Sequence, residues 1–233
     1  MSLSNKKQVL ITGGNRGIGF AIAQGLLAKD YDVIITARSL DSAKQAAEKL
    51  EGNVIPVELD VSSDRSIEQA AKTVSQQVEK LDVLINNAGI YPDGSADVLT
   101  ISREVLISAM DTNTFGMIQL VQALLPLLEK SQDARIINMS SGLGSLSGMS
   151  TGTSSYSLSK LAMNGATILL ADSLRSKGIA VNSMSPGWVK TDMGGSSAPR
   201  SPEQGADTAI WLATEAPHQE TGKFWHDRKA IAF

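Results

Sequence analysis

The alternation of short apolar runs with helix-like segments constrains the fold of this chain more than any other feature of its sequence. The runs are rich in Val, Ile and Leu, and the predicted strands cover residues 9–12, 32–37, 54–59, 81–85, 135–141, 179–184 and 222–226. Helices with apolar residues at helical spacing are predicted at 20–28, 42–50, 66–80, 102–128, 156–176 and 203–213. Strands that alternate with helices form a parallel sheet through right-handed crossovers. The pattern predicts an α/β fold with a doubly wound parallel sheet of about seven strands and helices on both faces.

The composition excludes several classes of function. The 233 residues carry a net charge of −3 and a pI near 5.4, so nothing favours nucleic acid or an anionic membrane as partner. Cysteine is absent and there are two histidines, so no metal site is predicted. No apolar run is long enough for a membrane span, and residues 1–8 lack the apolar core of a signal peptide. We expect a cytoplasmic protein in which residues 1–233 form a single domain, because no domain boundary or internal repeat is visible.

A glycine-rich turn directly follows the first predicted strand, with the sequence Thr12-Gly13-Gly14-Asn15-Arg16-Gly17-Ile18-Gly19. Such a turn brings backbone N–H groups and a helix N-terminus against a diphosphate. Gly13 would permit the tight turn, Gly17 would leave room for the ligand, and Gly19 would let the helix pack closely. The spacing differs from the common Gly-x-Gly-x-x-Gly pattern, but its place after the first strand favours a Rossmann-type dinucleotide site.

The second predicted strand ends at Arg38, where a dinucleotide fold meets the adenosine ribose. An acid at this point selects NAD, whereas an arginine suits the 2′-phosphate of NADP. No acid occurs before Asp41, and Arg16 could reach the same phosphate. The pair favours NADP(H), although both arginines could also be solvated loop residues.

Tyr156 and Lys160 are four residues apart, so on a helix both project from one face. An ammonium beside a phenol favours the phenolate, which would lower the tyrosine pKa from about 10 toward the range of a proton-transfer catalyst. A packed tyrosine beside a solvated lysine is the alternative. The stretch 142–155 joins the end of the fifth strand to this pair, which places Ser141 and Tyr156 at the same mouth of the sheet. Asn113, polar among apolar neighbours, is either a functional amide or a satisfied core amide at a helix bend.

In their order and spacing these motifs resemble the short-chain dehydrogenase/reductase family over nearly the whole chain. The resemblance rests on Thr12 to Gly19, Asp60-Val61, Asn86 to Gly89, Asn113, Ser141, Tyr156 with Lys160, and Pro186-Gly187 with Thr191. It implies that Tyr156 is the general acid toward a carbonyl oxygen while hydride arrives from the nicotinamide. It also implies that Ser141 binds the substrate oxygen and that Lys160 lowers the Tyr156 pKa.

The remaining implied roles concern the cofactor and the proton relay. Lys160 would bind the nicotinamide ribose, Asn113 would anchor a relay water, and Thr191 would hold the carboxamide. The resemblance assigns the cofactor to Gly13, Asn15, Arg16, Gly17, Ile18, Gly19, Arg38, Asp60, Val61, Asn87, Ala88, Gly89, Tyr156, Lys160, Pro186, Gly187, Val189 and Thr191.

Local sequence narrows the expected activity. The glycine turn, Thr36-Ala37-Arg38 and the segment from Pro186 resemble the carbonyl reductase branch, which uses NADPH, so we expect reversible hydride transfer to an aldehyde or ketone. Residues 142–155 lack the inserted helical segment of monomeric animal carbonyl reductases. The helices of Asn113 and Tyr156 are therefore expected to pair in a homodimer or homotetramer.

Two other functions remain open on the sequence. One is a 3-oxoacyl-[acyl-carrier-protein] reductase, which would need a basic patch for its acidic carrier. Arg103, Lys190 and Arg200 are the candidates for that patch. The other is a regulator that binds NADP(H) without turnover, although such proteins usually lose the tyrosine or the lysine.

Overall fold

An eight-stranded sheet forms the centre of the computed structural model, which describes residues 6–94 and 96–233. Its strands are β1 (Gln8–Ile11), β2 (Asp32–Ala37), β3 (Val54–Glu58), β4 (Val83–Asn86), β5 (Arg135–Met139), β6 (Ala180–Met184), β7 (Phe224–His226) and β8 (Lys229–Ile231). They lie in the order β3-β2-β1-β4-β5-β6-β7-β8. The predicted doubly wound α/β fold is confirmed.

The last strand departs from the predicted parallel sheet of about seven strands. β8 pairs antiparallel with β7, whereas β1 to β7 pair in parallel. The chain continues past residue 226, where the seventh predicted strand ends. It turns back through Asp227 and Arg228, which both have positive φ, at 46° and 60°. Two such residues make the tight turn that joins antiparallel strands, but an Asp-Arg pair is not a usual sequence signal for it.

Helices cover both faces of the sheet. They are α1 (Gly17–Leu27), α2 (Leu40–Ala47), α3 (Asp64–Gln77), α4 (Arg103–Met110), α5 (Gly116–Leu128), α6 (Ser154–Leu174) and α7 (Pro202–Thr214). One apolar core lies beneath α3, α5 and α6, and the other beneath α1 and α7. No helix in the described part of the chain is both long enough and apolar enough to cross a membrane.

The helix predicted at 102–128 is interrupted. A π-helical turn at Asp111–Phe115 separates α4 from α5, and Asn113 lies within it. Single π-turns inside helices often occur at functional sites. Gly116, directly after the turn, fits tightly because a Cβ there would lie 1.9 Å from the carbonyl oxygen of Val61. A glycine therefore allows the Asn113 turn to approach the end of β3.

The order in which successive strands are added to the sheet reverses at the boundary between β1 and β4, which are neighbours and parallel. In a doubly wound sheet, ligands bind at the carboxyl ends of the strands next to such a switch point. The glycine turn follows β1, residues 87–89 follow β4, and Ser141 follows β5. The fold thus gathers the predicted motifs at one edge of the sheet.

Candidate active site

Tyr156 and Lys160 both lie in α6, as their spacing predicted. Lys160 is 3% exposed, and its ammonium lies 5.7 Å from the centre of the Tyr156 ring. That ammonium donates a 2.7 Å hydrogen bond to the carbonyl oxygen of Met139, the last residue of β5. It also lies close to Gly89, where a Cβ would be 3.5 Å from the Lys160 Nζ and 3.1 Å from the Asn113 Oδ1. The lysine therefore occupies the floor of the site between β4 and β5.

Burial governs the charge state of this pair. It raises the pKa of the Tyr156 phenol, and a hydrogen bond from Ser141 only partly opposes the rise. Burial also lowers the pKa of Lys160 to about 7. In this arrangement burial is the largest influence on the Tyr156 pKa, and the Lys160 ammonium donates to the Met139 carbonyl. That Lys160 lowers the Tyr156 pKa stays a prediction. At neutral pH the phenol is in its protonated, donating form.

The lowered pKa of Lys160 predicts how the stability of the unliganded protein depends on pH. The pKa is about 7 in the folded chain and rises to its ordinary 10.5 on unfolding. Between these values the unfolded chain binds the extra proton, so the free energy of unfolding increases with pH, by up to about 1.4 kcal/mol per unit. We expect a rise from pH 7 to 9 in urea melts. Lys160→Met should remove it and exposed Lys130→Met should keep it; a flat wild-type profile would contradict the assignment.

The two serines after β5 have different surroundings. Ser140 is buried, and its hydroxyl lies 3.4 Å from the backbone oxygen of Lys160, to which it donates. Ser141 is partly exposed, its Oγ accepts a 3.2 Å hydrogen bond from the Leu143 N–H, and its hydroxyl interacts with the Tyr156 phenol. Ser141 is therefore the serine that faces the tyrosine, in agreement with its predicted place at the same mouth.

Asn113 is fully buried and links three parts of the site. Its Oδ1 accepts from the Ile90 N–H at 2.8 Å, and its Nδ2 donates to the Ile90 oxygen at 2.9 Å. The same Nδ2 donates to the Ser159 Oγ at 2.9 Å, which connects the π-helical turn to α6. Asn113 is thus a satisfied amide at a helix irregularity, and its functional role stays a prediction.

The glycine turn has the shape of a diphosphate cradle. Gly13 and Gly17 have positive φ angles of 63° and 55°, which residues other than glycine rarely adopt. A Cβ on Gly19 would lie 2.4 Å from the Gly13 oxygen, so the turn is closed by direct backbone contact. At the start of α1 Arg16 makes no capping hydrogen bond within the described residues, and the first turn carries no acid. Free N–H groups without a competing carboxylate suit an anionic ligand.

Asn87 supports this cradle from β4. Its Nδ2 donates to the oxygens of Thr12 and Gly13 at 2.8 and 3.2 Å, and the N–H groups of Asn87 and Ala88 donate to the Thr12 Oγ1. The predicted cofactor residue Asn87 therefore shapes the turn with its side chain. Its small neighbours Ala88 and Gly89 leave the strand end accessible.

The residues predicted at the adenosine end lie where the strand order requires. Arg38 follows β2 and is exposed, and no ion pair to it is found in the described ranges 6–94 and 96–233. Arg16 is also exposed but pairs with Asp192. Asp60 accepts from the Ser62 N–H and hydroxyl through one carboxylate oxygen. Arg38 is consequently the cation that could bind a 2′-phosphate without losing an ion pair. Arg16 would have to break its ion pair with Asp192 before it could bind the same phosphate.

The loop after β6 folds over the glycine turn. Gly187, with φ of 76°, turns the chain next to Pro186, and the Thr191 methyl group lies 3.2 Å from the place of a Gly17 Cβ. Val189 is buried and forms an isolated bridge with Arg200. This arrangement holds Thr191 above the first turn of α1, while Asn15 and Ile18 belong to the turn beneath it.

One buried acid in the site was not predicted. Asp93 lies in the loop after β4, is 4% exposed, and accepts hydrogen bonds from the first turn of α6. Its sequence context, Pro92-Asp93-Gly94, indicates only a turn. The 2.8 Å hydrogen bond between the buried amides of Asn86 and Asn138 was also not predicted, because Asn86 was named only as part of the motif after the fourth strand and Asn138 lies inside an apolar strand pattern.

Comparison with known proteins agrees with this fold. A family model described as short chain dehydrogenase matches residues 7–201, and the chain belongs to that family. A short-chain dehydrogenase of Penicillium roqueforti is 36% identical, over 99% of this chain and 98% of the relative. A 3-oxoacyl-[acyl-carrier-protein] reductase of Vibrio cholerae is 34% identical over 80% of this chain and 75% of its own length. The NADPH-bound carbonyl reductase from chicken fatty liver superposes with a TM-score of 0.89 at 30% identity, over 99% of this chain and 100% of its own.

Proposed function

We propose that this chain is an NADPH-dependent oxidoreductase that reduces the carbonyl group of an aldehyde or ketone and oxidises the alcohol in reverse. The observation that carries the proposal is the place of the Tyr156 phenol, which lies on α6 beside buried Lys160 and on the side of the Ser141 hydroxyl. A carbonyl oxygen placed between the two hydroxyls would accept a hydrogen bond from each. Such paired donors stabilise the negative charge that develops on that oxygen.

Each side chain has a part in the proposed reaction. Bound NADPH would supply the hydride, and the protein supplies orientation and the proton. Tyr156 donates its phenolic proton to the substrate oxygen, while Ser141 orients that oxygen. Lys160 would bind the nicotinamide ribose and would return the proton to Tyr156, and Asn113 would anchor a relay water next to Lys160. In alcohol oxidation the same path runs backwards.

Cofactor binding is proposed at the edge formed by the glycine turn, residues 87–89 and the loop after β6. The uncapped first turn of α1 and the positive φ of Gly13 and Gly17 fit a diphosphate. Arg38 would bind the 2′-phosphate, Asp60 and Val61 the adenine, and Thr191 the carboxamide. The solved chicken neighbour holds NADPH, which supports this choice of cofactor.

Reduction of a 3-oxoacyl group on a carrier protein is the second candidate, and the Vibrio cholerae relative favours it. The basic patch expected for an acidic carrier is weak, because Arg200 is paired with Asp227 at 2.6 Å. Of the three residues predicted for that patch, only Arg103 and Lys190 are exposed. Small aldehydes and ketones remain the preferred substrates. A regulator without turnover is disfavoured because the serine, tyrosine and lysine are all present.

A coupled screen tests the proposal. Purified protein with NADPH is mixed with aldehydes, ketones, quinones and acyl thioesters, and NADPH loss is followed by absorbance. We expect turnover with aldehydes or ketones, and a carrier-bound acyl group to be no better than the same acyl group on a small thiol. A clear preference for the carrier-bound form would favour the second candidate, and no turnover with any class would refute both.

An assembly through α4, α5 and α6 is proposed as well. Exposed apolar side chains occur on α4, on the π-helical turn before α5 and on α6, namely Ile107, Phe115, Leu158, Ile168 and Leu169. A face of this kind on a single chain is typical of a contact between copies.

The assembly predicts a mass of two or four times the 24.6 kDa chain in light scattering. Leu169→Glu places a charge on the 70% exposed position of α6 and should shift the mass toward one chain. Leu99→Glu is the control, since Leu99 is 90% exposed on the loop before α4. A monomeric wild-type protein, or equal masses for Leu169→Glu and wild type, would contradict the proposal.

A further inference from the structure

We propose that Asp93 is a positioning residue for Tyr156: it holds the first turn of the helix that carries the tyrosine. This inference rests on the proposed reductase function and assigns a role to a residue outside the predicted site. It starts from the three hydrogen bonds that the Asp93 carboxylate accepts. The Ser155 N–H donates at 2.6 Å, the Ser155 hydroxyl at 2.7 Å and the Tyr156 N–H at 3.1 Å.

The start of α6 is capped differently from the starts of other helices. α2, α3, α4 and α7 begin at a serine whose own side chain accepts from the first turn, namely Ser39, Ser63, Ser102 and Ser201. At α6 the residue in that position is Thr153, and among the described residues its side chain makes no capping bond. The cap comes instead from Asp93, which lies 62 residues away in sequence. The tyrosine's own backbone N–H is one of the donors that depend on it.

The cap belongs to a segment that also borders the reacting groups. Ile90 is held at both its N–H and its oxygen by Asn113. The Tyr91 hydroxyl donates to the Gly152 oxygen at 2.7 Å, and its ring meets the Tyr156 ring edge-on at 5.3 Å. Residues 90–93 therefore connect Asn113, the loop before α6 and Tyr156. Asp93 is the residue of this segment that binds the first turn of α6.

A buried carboxylate suits this task better than a neutral side chain. Three donors converge on it, and charge-assisted hydrogen bonds are shorter and stronger than neutral ones. The first N–H groups of a helix also carry partial positive charge, which favours an anion there. Without the carboxylate the first turn of α6 loses its acceptors and can fray. The phenol would then spend less time within reach of the substrate oxygen.

The test compares Asp93→Ala, Asp93→Asn and Asp97→Ala in the full chain. Asp97 lies in the same loop, but its carboxylate accepts only the Leu99 N–H within the described part of the chain, so it is the matched control. Activity is expressed per NADPH-binding site from fluorescence titration, which removes the effect of misfolded protein. We expect Asp93→Ala to lower kcat about 10- to 100-fold, the range for a displaced catalytic group. Asp93→Asn keeps one acceptor oxygen and should lie between Asp93→Ala and wild type.

Further readouts separate positioning from a purely structural role. With NADPH deuterated at the transferred position, Asp93→Ala should show a larger isotope effect on kcat, because the chemical step becomes slower. The Kd for NADPH should change little, since within the described ranges 6–94 and 96–233 the Asp93 carboxylate accepts hydrogen bonds from Ser155 and Tyr156 and from no residue of the glycine turn.

If the Asp93 variants have the wild-type kcat per NADPH-binding site, or the wild-type isotope effect, the inference is overturned. Carbonyl reduction by the wild-type protein would still leave the proposed function intact in that case. If Asp93→Ala does not fold, Asp93→Asn decides by the same two criteria. An inactive wild-type protein would overturn the proposed function itself and this inference with it.

Discussion

Replacing Tyr156 with phenylalanine should lower kcat for carbonyl reduction by about 10³-fold while NADPH still binds. The variant removes only the phenolic oxygen, so the ring keeps its edge-on contact with Tyr91. Reduction would then depend on water for the proton, and the contact with the Ser141 hydroxyl would be lost. Initial rates of NADPH oxidation and a fluorescence titration of NADPH measure the two effects separately.

Tyr31→Phe is the matched control for this prediction. Tyr31 is 7% exposed and directly precedes β2, so it lies away from the carboxyl ends of the strands. Its hydroxyl donates to the Ala213 oxygen at 3.2 Å, in the core beneath α1 and α7. Its loss should cost about 1 kcal/mol of stability and leave kcat unchanged. If both tyrosine variants keep the wild-type kcat, Tyr156 is not the proton donor.

Arg38→Asp should reverse the cofactor preference. The variant replaces the exposed cation at the end of β2 with an acid that can accept hydrogen bonds from a ribose 2′-hydroxyl. We expect kcat/KM with NADPH to fall by about 10²-fold, since a charged hydrogen bond to phosphate is lost and a repulsion is gained. The value with NADH should stay equal or increase. Steady-state kinetics with both cofactors give the ratio.

Lys44→Asp controls for the change in net charge, because Lys44 is exposed on neighbouring α2. It should leave the NADPH to NADH ratio as in wild type. Equal losses with NADPH and NADH in Arg38→Asp would contradict recognition of the 2′-phosphate at this position. The result also bears on Arg16, which is engaged by Asp192 and would then be the remaining cation for the phosphate.

The strands of the parallel sheet and the main motifs were predicted from the sequence because each has a local signal. Buried parallel strands are apolar runs, and the Gly13 to Gly19 turn needs glycine at the positions where φ is positive or a Cβ would collide. Tyr156 and Lys160 share a helix face at their spacing. These features depend on residues that are neighbours in the chain, so they can be predicted from the sequence.

The features that were missed depend on contacts distant in sequence. Asp93 lies in an ordinary turn, and its role arises only where the loop meets α6. The π-helical turn at Asn113 leaves the apolar pattern of 102–128 nearly continuous, so one helix was predicted. The lowered Lys160 pKa depends on the burial of its side chain, which the sequence does not display. β8 forms because two residues of positive φ reverse the chain.

Transfer of deuterium from labelled NADPH to a carbonyl carbon tests the central claim most directly. Wild-type protein is incubated with NADPH deuterated at the transferred position and with the aldehyde or ketone that the screen selects, and the alcohol is analysed by mass spectrometry. We expect the wild-type protein to form an alcohol that carries one deuterium on the former carbonyl carbon. This alcohol should be nearly absent with Tyr156→Phe. Protein that binds NADPH but yields no deuterated alcohol with any aldehyde or ketone, or equal yields from both proteins, would contradict it.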